Sequence, residues 1–220
     1  MDRVNRDAVA FAKELRDEAG DAPQPIVISG VIGPRGDGYQ PGALMSASEA
    51  ESYHAAQAAS LAGGGADLVA AITMNYVEEA VGVARAAAGA GIPAAISFTV
   101  ETDGRLPSGQ SLGDAIEQVD AETLGSPGYY MVNCAHPSHF AGAVSEGGAW
   151  RERIAGLRAN ASAKSHAELD EATELDEGDP GALAAGYVSL RPQLPNVTVL
   201  GGCCGTDERH VAAVAEAWAT

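Results

Sequence analysis

The residues of this chain best equipped for chemistry are three cysteines: Cys134 and, further along, the adjacent pair Cys203 and Cys204. An odd count with an adjacent pair does not suit a secreted disulfide framework, which uses an even number of spaced partners. Neighbouring cysteines bridge each other only with strain. Metal ligands, free thiols and small buried core residues are the readings left open. Three thiolates on one zinc ion would leave a fourth position free, as catalytic rather than structural sites do. Such a centre is anionic, a poor Lewis acid towards water but a good partner for a fourth, soft thiolate. That chemistry is thiol activation rather than hydrolysis. Gly201, Gly202 and Gly205 flank the pair and let the backbone turn sharply there.

Sulfurs this far apart in sequence meet only if the fold gathers strand ends together. Short, continuously apolar runs recur at Ile26–Gly30, Asp67–Ile72, Pro93–Phe98, Tyr129–Asn133, Ile154–Ala159 and Val197–Gly201. Continuous rather than alternating runs predict strands of a parallel sheet covered on both faces. Between them lie helical stretches: Asp2–Ala19, Ser46–Gly63 with the capping pattern Ser46-x-x-Glu49, Val77–Ala90, Ser111–Leu124, Pro180–Arg191 and Thr206–Ala219. Regular βα alternation means a barrel or a doubly wound sheet. No Gly-x-Gly-x-x-Gly follows the first run, which disfavours dinucleotide binding.

Polar or reactive residues stand just after the runs: Ser29, Thr73, Thr99, Cys134, Asn160 and Cys203-Cys204. In a barrel those positions form a ring at the C-terminal mouth. Six strands are countable where a closed barrel has eight.

The 220 residues suffice for one domain, taken as 1–220, with a core of Ala, Val, Leu and Ile because aromatics are only 5%. Thirteen basic against thirty acidic residues give a net charge of −17, a surface that repels nucleic acid and anionic membranes. No apolar run approaches the roughly 20 residues of a membrane span, and no apolar stretch of the signal-peptide kind follows Met1. A soluble, cytoplasmic protein acting on small molecules is expected. The segment Glu168–Asp179 carries seven carboxylates and no basic residue, and reads as a solvated surface segment because it lacks calcium-loop spacing.

Gly201-Gly202-Cys203-Cys204-Gly205-Thr206, with Asn133-Cys134-Ala135-His136-Pro137 upstream, closely resembles the homocysteine S-methyltransferase family. Ser29–Pro34, Ile96–Thr99 and Asp103–Gly109 agree with it, and the resemblance runs from about Val4 to the C-terminus. It implies a (β/α)8 TIM-type barrel, here incomplete, with about six βα units and without the first two strands. It implies Zn²⁺ held by Cys134, Cys203 and Cys204, which act in catalysis through the metal. It implies transfer of a methyl group from a sulfonium or ammonium donor to the thiol of homocysteine or a relative, forming methionine. Asn160, Thr73 and Thr99 are the candidate substrate-binding residues, with Asn160 and then Thr73 as neutral oxygen donors to the fourth zinc position. His136 and His139 are expected to serve the opening of a surface helix and not to ligate.

Two departures from the family are visible. The usual first quarter, with its Asp-Gly-Gly strand, has no counterpart, so two sheet edges should be open. Relatives place a Glu for the substrate amino group where this chain has Ile72, and Glu78 and Glu79 on the next helix are not expected to replace it. The alternative is a non-catalytic zinc-binding remnant, or a fragment of such an enzyme.

Overall fold

In the computed structural model, residues 1–20 and 25–220 are described. After α1 (Asp2–Glu18), strands and helices alternate: β1 (Ser29–Ile32), α2 (Ala47–Gly64), β2 (Leu68–Met74), α3 (Val77–Gly89), β3 (Ala94–Phe98), α4 (Leu112–Thr123) and β4 (Tyr129–Asn133). The chain continues with α5 (Pro137–Ser145), a 3₁₀ turn (Ala149–Arg153), β5 (Ile154–Ala159), α6 (His166–Asp170), α7 (Pro180–Leu190), β6 (Val199–Gly202) and α8 (Glu208–Trp218). All pairings are parallel and the strand order is β1-β2-β3-β4-β5-β6, a curled arc of an incomplete TIM-type barrel. Among the described residues β1 and β6 are the open edges.

Alternate residues along each strand face different surroundings. Val69, Ala71, Ile96, Phe98, Tyr130, Val132 and Leu157 join the large core between sheet and helices. Ala70, Ala95 and Met131 form a small second cluster with Leu68, Ile72 and Tyr129. This two-sided packing is why the strands read as unbroken apolar runs.

Element ends follow local chemistry. Ser46 caps α2 by accepting from the Glu49 N–H, and Glu49 returns a bond to the Ser46 N–H at 2.8 Å. Gly65, left-handed at φ 84°, ends it. The first strand starts later than the apolar run at Ile26. The Ile28 N–H donates to the Asp67 carboxylate at 2.7 Å and the Ile28 carbonyl accepts from Asp67 N, so the ladder begins at Ser29. The last strand likewise begins at Val199, because the Val197 N–H turns back to the Leu194 carbonyl. The helix opening expected at His136 is present: His136 caps α5 and Pro137 begins it, a first-turn signal that stands in the sequence. The acidic segment starts as the short helix α6, capped by Ser165 and Glu168, and is mostly exposed beyond it.

Tyr187 on α7 ties β5 to β6. Its hydroxyl accepts from Ala159 N and donates to the Gly201 carbonyl, each at 2.7 Å, and its side chain is fully buried. Burial pushes the phenol up to about 12. Its folded-state value is raised, so its contribution is complete below the ordinary value of about 10 and is lost as pH rises towards 12. Tyr187→Phe is expected to destabilise by about 1–3 kcal/mol, since it strands a buried N–H and carbonyl. Denaturant titrations at pH 8 and pH 11 check both statements: the parent should lose more stability than the variant between the two.

Candidate metal centre

Two strand ends deliver the three sulfurs. Cys134 follows β4 in a left-handed conformation, φ 53°, with its N–H on the Arg158 carbonyl at 3.1 Å. Its own carbonyl accepts from His166 Nε2 at 2.6 Å and from the Thr99 hydroxyl at 3.4 Å. Cys203 and Cys204 follow β6. Cys203 N donates to Ala159 O at 2.9 Å, and Cys204 N donates to Asn160 Oδ1 at 3.1 Å. Gly205 then turns with φ 76°, where a Cβ would run into the Asp176 carbonyl. A side chain at that position, next to Cys204, would meet the Asp176 backbone and adopt a strained φ, so the turn calls for glycine.

The three Sγ atoms lie within 4.8 Å of one another. Cys134 and Cys203 are joined sulfur to sulfur, and Cys204 is an exposed free thiol. In a tetrahedral site with Zn–S near 2.3 Å, sulfurs stand about 3.8 Å apart. Three sulfurs within 4.8 Å of one another are a donor set that fits a tetrahedral, thiophilic ion once the cysteines are reduced. Among the described residues it is the only such group of three found.

Thr73 sits on an irregularity in the β2–β3 ladder, at φ 62°. Its N–H donates to Asn133 Oδ1 and its hydroxyl accepts from Asn133 Nδ2, at 2.9 and 2.8 Å. The same hydroxyl lies 3.9 Å from Cys134 Sγ. Asn160 is buried beneath Cys204 with its amide oxygen on the Cys204 backbone. Thr99 is fully buried against the Cys134 carbonyl. The structure thus gathers Thr73, Thr99 and Asn160 around the cysteines, and all three hold cysteine loops in place. Ile72 is on the strand beside them, packed on Ala70, Ala95 and Met131. Glu78 is exposed, while Glu79 is fully buried in contact with His54 and the Arg35 N–H.

Sequence reasoning missed Tyr39 and His166. The Tyr39 hydroxyl lies 4.0 Å from Cys204 Sγ, and its ring lies against His166 with centroids 4.1 Å apart. Burial, with Cys204 and Asp37 close by, holds the Tyr39 phenol well above its ordinary value. A cavity of about 250 Å³ opens beside Cys204, lined by Tyr39, Asn160, Ser162, His166 and Asp176 among others. Hydrogen bonds from Lys164, Ser162 and Gly178 hold the Asp176 carboxyl below its ordinary value.

His136 caps α5 through Ser138, and burial together with His139 holds it below its ordinary value. His139 is buried rather than on the surface, because its Nε2 reaches in to the Ala163 carbonyl at 2.9 Å. Neither histidine belongs to the three-sulfur group. Replacing each with Gln should leave metal stoichiometry unchanged, as read by elemental analysis of the purified proteins. Loss of metal in either variant would place a ligand on α5.

The sequence profile of the homocysteine S-methyltransferase family matches residues 1–218. No curated protein matches the chain significantly. In structure it is similar to the homocysteine methyltransferase MmuM from Escherichia coli. The metallated form superposes with TM-score 0.74 at 19% identity over 97% of this chain and 69% of that one. The apo form gives 0.72 and 18% over 98% and 74%, and the oxidized form 0.74 and 20% over 98% and 70%. At such identities the likeness establishes the barrel fold alone.

Proposed function

Because the chain belongs to the homocysteine S-methyltransferase family, matched over residues 1–218, we propose that it methylates the thiol of homocysteine or a close relative, with Cys134, Cys203 and Cys204 holding zinc. The observation that carries this reading is the meeting of three sulfurs from two strand ends within 4.8 Å. Bound there, zinc would supply a Lewis acid that keeps a fourth sulfur deprotonated at neutral pH. The donor is a sulfonium or quaternary ammonium compound. The acceptor thiol gives up its proton to solvent and its sulfur attacks the methyl carbon. The carbon–sulfur or carbon–nitrogen bond of the donor breaks, and the donor leaves as a neutral thioether or amine.

The chain's own residues prepare this step. Asn160 fixes the backbone of Cys204, the thiol that faces the cavity. Thr73, propped by Asn133, sets a hydroxyl beside Cys134, and Thr99 steadies the Cys134 carbonyl. Roles for Thr73 and Asn160 towards the acceptor rest on this adjacency. Ile72 offers hydrocarbon where the family resemblance called for a carboxylate, so the amino group of the acceptor must be recognised elsewhere or not at all. The substrates are small molecules, and reduced thiols of this kind persist in the cytoplasm.

The test is methionine formation from homocysteine by the reduced, zinc-loaded protein, with S-methylmethionine, S-adenosylmethionine or betaine as donor. Turnover that a chelator abolishes is the expected result. Zinc binding without turnover on any donor would favour the non-catalytic reading. Absence of zinc binding would remove the site assignment.

A further inference from the structure

Between β1 and α2 the chain crosses the mouth of the sheet as a strap, residues 33–46, which carries Tyr39 to Cys204. The start of α3 and the residues before it grip this strap at four points. Asn75 Nδ2 donates to the Asp37 carbonyl at 2.9 Å, and the Tyr76 hydroxyl accepts from Met45 N at 3.2 Å. Gly38 lies against Thr73, so that an added Cβ would come within 2.9 Å of its methyl group. Glu79 Oε1 accepts from the Arg35 N–H at 2.6 Å and meets His54 Nε2 at 2.9 Å.

The last grip is chemically out of place. Glu79 is fully buried and His54 is 2% exposed, yet Glu79 Oε2 and His54 Nδ1 have no partner. A buried polar pair with unsatisfied atoms is weak support for stability, and hydrocarbon of the same shape would serve the core as well. What hydrocarbon cannot supply is an acceptor for the Arg35 N–H, the bond that fixes the strap.

We propose that Glu79, backed by His54, is a positioning residue of the thiol site: through Arg35 it holds the strap in the register that makes Tyr39 a wall of the acceptor cavity beside Cys204. The proposal rests on the methyl-transfer reading above, with the acceptor thiol taken into the cavity that Cys204 faces. Glu79 touches neither metal ligand nor substrate and acts through the strap alone.

Trypsin reports the strap directly, because the exposed Arg35-Gly36 bond lies within it and cleavage tracks the population of the opened segment. Glu79→Ala should speed cleavage after Arg35 about tenfold and raise KM for the acceptor thiol about tenfold, with kcat within about twofold, as loss of one short buried hydrogen bond predicts. Zinc stoichiometry should stay at the parent value. Glu79→Gln, whose amide oxygen still accepts from Arg35, should restore both readouts. Tyr39→Ala should reproduce the KM change while cleavage stays at the parent rate.

If Glu79→Ala does not fold, Gly38→Ala loosens the strap from outside the buried pair and should show the same two changes. Parent-rate cleavage, or an unchanged KM despite a loosened strap, in the folded variant would overturn the proposal. A parent protein that binds zinc but does not turn over, with cleavage still accelerated in the variant, would uphold the clamp and remove the methyl-transfer reading instead.

Discussion

Cys203→Ala is expected to weaken zinc binding more than a hundredfold and to abolish methyl transfer. Apparent binding free energies of structural zinc, about 10–16 kcal/mol, divide over four ligands into about 3 kcal/mol each. A loss of that size exceeds a factor of a hundred in affinity. No substitute is at hand. Cys203 is pinned through its backbone to Ala159, while His136 Nδ1 is taken up by Ser138, His139 Nε2 by the Ala163 carbonyl and His166 Nε2 by the Cys134 carbonyl. Competition against a chromophoric chelator reads the affinity, and the alanine variants of Cys134 and Cys204 should behave alike. Parent-level zinc retention in all three would remove the assignment.

Gly82→Val is expected to produce the largest loss of stability outside the site. Gly82 is where α3 meets α2. A Cβ there would collide with the Ala50 side chain and stand 2.6 Å from the Glu51 backbone nitrogen. Backbone cannot rotate aside as a side chain can, so the helices must separate. Overpacking of this kind costs about 1–3 kcal/mol or more. For a chain of this length that is a fall in Tm of about 2–4 °C per kcal/mol, measurable by calorimetry. His54 and Glu79 face each other across the same helix pair, so the variant should also speed tryptic cleavage after Arg35. An unchanged Tm would mean that α2 and α3 approach less closely than described.

What was legible in the sequence is what depends on local pattern. Unbroken apolar runs marked Tyr129–Asn133 and Ile154–Ala159 to the residue, because both strands lie in the middle of the sheet and are packed on two faces. At the edges the reading slipped. Ile26 and Val27 are apolar but half exposed, and a side-chain bond from Asp67 rather than hydropathy decides where β1 begins. The three-cysteine cluster was legible because its glycine-flanked cysteine pair is a local motif. Tyr39 was not, because nothing near it in sequence indicates that its strap crosses the mouth to reach Cys204. His166 stands just before the acidic segment Glu168–Asp179, in a stretch with no strand or motif signal of its own, although its ring turns inward to the Cys134 carbonyl. Glu79 stood in plain view on α3, but its burial is set by α2 and the strap, which no helical periodicity reveals.

The central claim is that Cys134, Cys203 and Cys204 together hold one zinc ion and leave a place for an acceptor sulfur. X-ray absorption at the zinc edge of the reduced, metal-loaded protein tests it most directly. The account predicts three sulfur neighbours at about 2.3 Å without acceptor, and a fourth at the same distance once homocysteine is added. Fewer than three sulfurs in the free protein, or no added sulfur with homocysteine, would contradict it.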